Sequence, residues 1–389
     1  MPTEEILKTP LIGFGYPGPL PPLCVHVFPS FGIGGVPLRM ARIFNDLGAA
    51  FRHVVIALDG ATGAAAYIGR DVDCTVVSIP IAKANLLASL RACARELARS
   101  RPDVLVTYNW GAIEWAMANR LVTRFPHVHH EAGFGKEEAT RQLRRRILFR
   151  RWALQHAKIV VPSRTLENIA LREWRLPKAR VLYVPNGIEI TRFNIARTTS
   201  TSSPRESRPL VVGTVAPLRP EKNVGRLVKA FAMARTRAHL RLVIAGEGPE
   251  RLALEKMSHE MGLAGRISFI GHVDHPETVL SEFDIFALSS DTEQMPNSLL
   301  EAMAMALPVA AVDVGDVSEM VASENMPFIV RRGDTKALAE AITQLARLGT
   351  ARSEIGLANR ARVREKYCHP VMVNSWWAIF AGTALRLDS

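Results

Sequence analysis

Two glutamates around a helix start are the most chemically informative residues in this sequence. Glu293 and Glu301 have seven residues between them, among them Met295-Pro296-Asn297-Ser298. Asp284–Ser289 (DIFALS) is a short apolar run of strand character, Ser290–Gln294 is a polar loop, and Leu299–Ala306 favours helix. This order puts Glu293 on a loop facing the helix start and Glu301 about one turn inside the helix. A helix start offers unpaired N–H groups and the positive end of a dipole, so it favours phosphate. Carboxylates on both sides of an anion site suit a ligand with hydroxyls at both ends of a diphosphate, as in a sugar nucleotide. Taken singly, each glutamate is what the helix dipole favours anyway. The argument rests on the pair.

The elements that must position this pair follow from two runs of strand–helix alternation. The first begins with LCVHVFPS (Leu23–Ser30), the loop FGIGG and a helix from about Pro37 to Leu47. It continues through RHVVIAL, CTVVSIP, DVLVTY, HVHH, KIVVPS and VLYVPNG. The second holds LVVGTVAPL, a helix Val224–Arg235, RLVIAG, a helix Pro249–Met261, ISFIG, DIFALSS, the Glu301 helix, PVAAVDV, PFIVRRG and a helix Thr335–Leu348. Near-continuous apolar strands of this kind predict parallel sheets covered on both faces. Arg197–Ser207 (RTTSTSSPRES) has no apolar period and reads as a linker. The expected organisation is a loose arm over 1–22, a Rossmann-like domain over 23–196, a linker over 197–208 and a second Rossmann-like domain over 209–362. A final helical segment, 363–389, carries Tyr367, Trp376, Trp377 and Phe380 for packing. Ligands bind beyond the carboxyl ends of strands in such sheets, so the expected site is the cleft between the domains.

Composition narrows the function classes. With 389 residues, 48% apolar and 22% charged, the chain is long enough for two buried cores. No apolar run has the length of a bilayer span, and the N-terminus, acidic near its start and rich in Pro and Gly, does not read as a signal peptide. Cys24, Cys74, Cys93 and Cys368 are scattered without metal-ligand spacing, which fits a reducing cytoplasm better than a disulfide or metal framework. The net charge of +12 calls for an anionic partner. Its densest part, Arg141–Arg151 (RQLRRRILFRR), reads as a helix with arginines around most of its circumference and a narrow stripe of Leu143, Ile147 and Leu154. It is either a solvated helix or a contact for anionic lipid head groups, which would place the protein peripherally on a membrane face. Basic and aromatic residues do not interleave as single-strand binding needs, so nucleic acid is not expected.

Glu293, Glu301 and the following AMAMALPV with a strand leading to Gly315 together resemble the E-x7-E segment of retaining GT-B glycosyltransferases of the GT4 type (glycosyl transferases group 1). The resemblance extends over almost the whole chain and is strongest over 210–320. It implies an α/β fold of GT-B architecture, two Rossmann-like domains facing each other across a cleft. It also implies transfer of a sugar from a UDP- or GDP-sugar to a glycan or lipid-linked acceptor, with no metal.

The resemblance carries over residue by residue. Gly213–Asn223 (GTVAPLRPEKN) resembles the family's GRLxxxK loop: Lys222 matches the lysine that holds the donor diphosphate, while Pro217 stands where the family has arginine. Arg219, two residues on, is the candidate replacement. Glu301 would hold the ribose hydroxyls, with Asn297, Ser298, Leu299 and Leu300 at the helix start and Glu293 supporting the sugar at the reacting carbon. Gly248, in AGEGPE, and Val273, in GHV, lie in loops near the donor nucleotide. Gly32-Ile33-Gly34-Gly35 is wrongly spaced for a dinucleotide fingerprint but resembles the family's GG loop, which implicates Gly34 and Gly35. A strand-end histidine contacts the transferred sugar in the family. His129 and His130 both qualify, and strand alternation puts them on opposite faces. Pro185-Asn186-Gly187 resembles a segment with an architectural role. Two other classes share the architecture: a sugar-nucleotide epimerase, which turns over without an acceptor, and a nucleotide-binding relative with weak catalysis. Pro217, and Ala306 at a usual glycine position, would account for the latter.

Overall fold

The structure, a computed structural model, describes residues 20–79, 85–134, 136–138, 142–193, 208–235 and 238–384. The expected linker and most of the expected N-terminal arm lie outside these residues. The chain divides into two compact units: residues 1–162, 166–184 and 373–389, and residues 163–165 and 185–372.

The first unit is built on seven parallel strands: β1 (Leu23–Phe28), β2 (Arg52–Ala57), β3 (Cys74–Ser78), β4 (Val104–Tyr108), β5 (His127–His130), β6 (Lys158–Val161) and β7 (Val181–Tyr183). Their order across the sheet is β3-β2-β1-β4-β5-β6-β7. The second unit has six, β8 (Leu210–Val215), β9 (Leu240–Ala245), β10 (Ile267–Gly271), β11 (Ile285–Leu288), β12 (Val309–Val312) and β13 (Ile329–Val330), ordered β10-β9-β8-β11-β12-β13. Strands such as β11 and β12 are buried at every position, as expected of parallel strands covered on both faces. In each sheet the order reverses once, between β1 and β4 and between β8 and β11. Loops diverge at such a reversal and leave room for a ligand at the carboxyl edge.

Packing in the second unit is close enough to dictate single residues. Gly213, on β8, lies against Phe283, and an added Cβ would come within 2.1 Å of the ring. The helix Ala351–Lys366 packs its Gly356 on the carbonyl of Ala306, where a Cβ would sit 2.0 Å away. The chain reaches the first unit again at Val373 rather than at 363. One helix ends at Lys366 and the last, His369–Ala384, follows after a break. Within the first unit the rings of Trp376 and His130 are 5.3 Å apart and those of Phe380 and Phe51 5.7 Å apart.

The helix Asn297–Ala304 ends in a tight C-terminal motif. The amide of Leu307 donates to the Ala302 carbonyl and that of Ala306 to the Met303 carbonyl, both at 3.0 Å. This Schellman pattern needs a left-handed residue, usually glycine, and Ala306 supplies it with φ +55°. A non-glycine residue there costs about 1–2 kcal/mol. Ala306→Gly should therefore stabilise the second unit, by about 0.5–1 kcal/mol after the greater freedom of glycine in the unfolded chain is subtracted. A urea titration followed by far-ultraviolet circular dichroism checks this, and an unchanged or lower midpoint contradicts it.

Candidate functional site

Loops at the carboxyl ends of β8, β9 and β11 hold one another in place through their backbones. Leu218 N donates to the Glu247 carbonyl at 2.8 Å, and Glu250 N to the Leu218 carbonyl at 3.1 Å. Gly246 and Gly248 both have positive φ, and a Cβ on them would lie 1.9 Å from Ala216 O and 2.3 Å from Leu218 O. Close backbone approach therefore accounts for both glycines. The chain then makes a short turn at Pro220–Lys222 and passes through Asn223 at φ +41°. The Asn223 side chain accepts from Arg226 N, which caps the helix Val224–Ala234.

The loop after β11 is stitched to this turn. Asp291 N donates to the Glu221 carbonyl at 2.8 Å. The Asp291 carboxylate accepts from Asn223 Nδ2 at 2.8 Å and from Arg226 at 2.5 Å. Burial pushes the Asp291 carboxyl up, but these two partners outweigh it and hold it below its usual range. Arg226 also donates to the Ser289 carbonyl at 2.8 Å, and Ser289 Oγ to the Lys222 carbonyl at 3.2 Å. The result brings Lys222 Nζ to 2.6 Å from Glu293 Oε1, which also accepts from Ser290 Oγ at 2.7 Å. Behind Glu293 the backbone runs so close to Gly315 (φ +59°) that a Cβ there would lie 2.5 Å from the Glu293 carbonyl.

The helix Asn297–Ala304 begins beside this pair with no side-chain cap and no acidic residue in its first turn. Its start is held by Asn186, which donates to the Met295 carbonyl at 3.2 Å and to Asn297 Oδ1 at 3.0 Å. Ser298 and Glu301 are half-buried, while Leu299 and Leu300 are buried. Arg219 and Pro217 are exposed on the β8 loop, and Val273 is half-buried just past β10. Lys222 and Glu293, distant in sequence, thus meet directly. Asn223, Arg226, Ser290 and Asp291 position them and were not singled out from the sequence, which marked Gly315 only as the glycine that follows a strand. Asn223, just before a helix, offered a legible capping signal; the others depend on long-range contacts.

The first unit carries the remaining candidates. Gly34 precedes the helix Gly35–Leu47, whose start has neither a side-chain cap nor an acidic residue in its first turn. A Cβ on Gly35 would meet nothing within 4 Å, and on Gly34 only Pro37 at 3.9 Å. Packing makes no demand for glycine at either position. His129 and His130 are both buried, and the Nε2 atom of each lacks a hydrogen-bond partner. His129 Nδ1 lies 2.8 Å from Thr107 Oγ1, and His130 Nδ1 lies 3.1 Å from the Val160 carbonyl. Cys24, His26 and His53 also come together, within 4.8 Å and fully buried, which their spacing did not suggest. There His26 Nε2 lies 3.0 Å from His53 Nδ1.

The basic cluster divides between buried and exposed arginines. The helix Arg144–Ala153 buries Arg150, 1% exposed, which pairs with Glu138 at 2.9 Å and Glu131 at 3.3 Å and lies against Trp110, Phe134 and Trp174. Arg146 pairs with Glu137 and Glu138. Arg144, Arg145 and Arg151 are exposed, and Arg141 lies outside the described residues. No helix among the described residues is long and apolar enough to cross a membrane.

Comparison with known proteins agrees with this division. Residues 32–187 match the family model described as glycosyl transferase 4-like domain, and residues 209–347 the one described as glycosyl transferases group 1. The 2-deoxystreptamine N-acetyl-D-glucosaminyltransferase of Streptomyces fradiae is 28% identical over 67% of this chain and 66% of its own length. The N-acetyl-alpha-D-glucosaminyl L-malate synthase of Bacillus anthracis is 26% identical over 43% of this chain and 44% of its own. The chain thus spans less than two thirds of the length of these relatives. The crystal structure of Anabaena Alr3699/HepE in complex with UDP and glucose is similar over 93% of this chain and 100% of that one, with TM-score 0.76 and 17% identity. The shared fold is GT-B.

Buried histidines set the pH range of the first unit. Burial lowers His53, His127 and His130 to about 3, with His129 adding to the effect on His127 and Arg39 to that on His130. Their unfolded forms titrate near 6.5, so stability is fully present above that pH. It falls by up to about 1.4 kcal/mol per pH unit for each ring as the pH drops toward 3. All six tryptophans (110, 115, 152, 174, 376 and 377) belong to the first unit. Tryptophan fluorescence should therefore show its urea midpoint falling steeply from about pH 6.5 to about pH 4. A flat midpoint over that interval contradicts neutral buried histidines.

Proposed function

We propose that the chain, a glycosyltransferase of the GT-B fold, moves a sugar from a nucleoside diphosphate sugar to a glycan or lipid-linked acceptor. Transfer retains the anomeric configuration, as in the GT4 type. The observation that carries this reading is the Lys222–Glu293 pair, held at 2.6 Å beside an uncapped helix start at the reversal point of the second sheet. A diphosphate arriving there competes with Glu293 for Lys222. The lysine and the first-turn amides Asn297–Leu300, aided by Arg219, take the phosphate charge. Glu293 is released toward the sugar and Glu301 takes the ribose hydroxyls. Gly248 and Val273 border the nucleotide, and a UDP- or GDP-sugar is the donor. The UDP and glucose of the Anabaena neighbour support that donor class.

Chemistry then needs little from a protein nucleophile. The bond from the anomeric carbon to the diphosphate oxygen breaks, and the acceptor oxygen bonds to the same face of the sugar. Its proton passes to the departing phosphate, whose charge Lys222 stabilises. Residues 23–196 serve the acceptor and 209–362 the donor. Gly34 and Gly35, free of packing demands, admit phosphate or sugar close to the backbone, and the Nε2 of His130, or that of His129, 3.8 Å from Glu131, supports a hydrogen bond to the sugar or acceptor. The protein acts in the cytoplasm, peripherally on a membrane where the acceptor is lipid-linked.

Calorimetry with UDP and GDP, and release of nucleoside diphosphate from a panel of sugar nucleotides with and without acceptor extract, test the reading. Lys222→Met should weaken diphosphate binding and turnover. Glu293→Gln should bind UDP or GDP at least as tightly as the parent, because its competitor for Lys222 is gone, while turnover falls by about 10²–10³-fold. Full turnover in both variants would overturn the assignment. Turnover equal in the presence and absence of acceptor would favour an epimerase.

A further inference from the structure

The donor-site loops described above lie at the carboxyl edge of the second sheet. Cys24, His26 and His53 form a separate group on the first sheet, toward the amino ends of β1 and β2. Cys24 and His26 are two apart on β1, so strand alternation puts them on one face. His53 stands opposite Cys24 in the parallel register of β1 with β2 and joins that face. The register thus gathers one thiol and two imidazoles, with ligand atoms that lie within 4.8 Å of one another. All 11 histidines and all 4 cysteines of the chain are among the described residues, and no other joins the three.

Aromatic rings enclose the group. Cys24 and His26 are 0% exposed and His53 1%. The Phe44 ring lies 4.6 Å from that of His26 and 4.3 Å from that of His53, and the Phe380 ring 5.7 Å from that of His26. His26 Nδ1 lies 3.0 Å from Tyr108 Oη, and His26 Nε2 lies 3.0 Å from His53 Nδ1. His53 Nε2 is buried with no hydrogen-bond partner. Burying a polar atom unsatisfied is unfavourable, and apolar side chains of similar volume would avoid it.

A metal ion would give these groups a use. Metal–nitrogen bonds of about 2.0–2.1 Å hold two ligating nitrogens about 3.3–3.6 Å apart, so the two rings need part by only roughly half an ångström. His26 Nδ1–H then donates to Tyr108 Oη, which fixes the tautomer that leaves Nε2 for the metal. The Cys24 thiol gives up its proton as the metal–sulfur bond forms, and no electron is transferred. One thiolate and two neutral imidazoles carry a single negative charge, so a monovalent cation leaves the core uncharged. A divalent ion would leave net positive charge among phenylalanine rings, and zinc would also want a fourth ligand. Soft thiolate joined with imidazole suits copper(I).

We propose that Cys24, His26 and His53 bind one copper(I) ion, which ties β1 to β2 inside the first unit. The site stands or falls independently of the donor reading.

The test uses the full-length protein under anaerobic, reducing conditions, incubated to equilibrium because the site is enclosed. Copper(I) is supplied as its coloured bicinchoninate complex, and loss of colour reports transfer to the protein. One equivalent should transfer, and thiolate-to-copper absorption should appear in the ultraviolet. Cys24→Ala and His53→Gln should each lower the affinity at least about tenfold, and Tyr108→Phe by about tenfold. Cys74→Ser, at a cysteine outside the group, should leave it unchanged. Copper(I) should also raise the urea midpoint followed by tryptophan fluorescence in the parent and not in Cys24→Ala. If His53→Gln melts early, Cys24→Ala carries the test, because it removes a ligand with little change of volume. Absence of transfer overturns the proposal, as does equal loss in Cys74→Ser. Full affinity in Cys24→Ala also overturns it, and so does tighter binding of zinc than of copper(I) by these residues.

Discussion

The contact around which the site loops of the second unit are arranged is the ion pair of Lys222 with Glu293. It joins loops from β8 and β11, the two strands at which the order of the sheet reverses. Each side chain is only partly exposed, so separating them without a replacement would leave a desolvated charge. A diphosphate is such a replacement for the carboxylate, and hydroxyls are one for the lysine. The free protein therefore keeps both charges placed and mutually satisfied. Around the pair, Asp291, Asn223 and Arg226 fix the loops so that neither charge has to be found by loop motion. Pre-positioned charge of this kind costs little reorganisation at the moment of reaction.

Glycine takes two distinct parts in the molecule. Gly246, Gly248 and Gly315 are demanded by backbones that approach too closely for any Cβ. The conformation of the site loops follows from them, and their presence needs no ligand to explain it. Gly34 and Gly35 face open space, so the fold would accept alanine there on steric grounds. Under the proposed function a ligand would use that bare backbone, next to an uncapped helix start. Ala306 is the converse case, a residue with a Cβ where the helix terminus asks for glycine.

Much of this was legible in the sequence because buried parallel strands leave an unbroken apolar trace. Every run read as a strand, from Leu23–Phe28 to Ile329–Val330, is one. Glu293 drew attention through local context, a loop before a helix start, and Lys222 through the resemblance of its loop to a family pattern. Their partners did not, because Asp291 and Arg226 acquire meaning only when loops far apart in sequence meet. Arg150 misled for the same reason. On its own helix it continues a basic surface, whereas its aromatic and acidic neighbours, Trp110, Phe134, Trp174, Glu131 and Glu138, come from elsewhere in the chain. The crossing into the first unit was placed too early because the aromatic spacing of 363–387 hid the break between Lys366 and His369.

What each cation faces then separates structure from recognition. Arg150 and Arg226 are held by carboxylates as well as by rings or carbonyls, and their charge is spent inside the protein. Lys222 is held by one carboxylate at a partly exposed position, so under the proposed function its charge can be reassigned. Arg120 and Arg180 are held by carbonyls alone among the contacts described, which direct the guanidinium and leave its field intact. A chain with a net charge of +12 must carry unneutralised cations somewhere. Scattered over a surface they would be screened within about 8–10 Å at physiological salt. Where several cations share one concave wall, the field they hold is stronger than an open surface would allow.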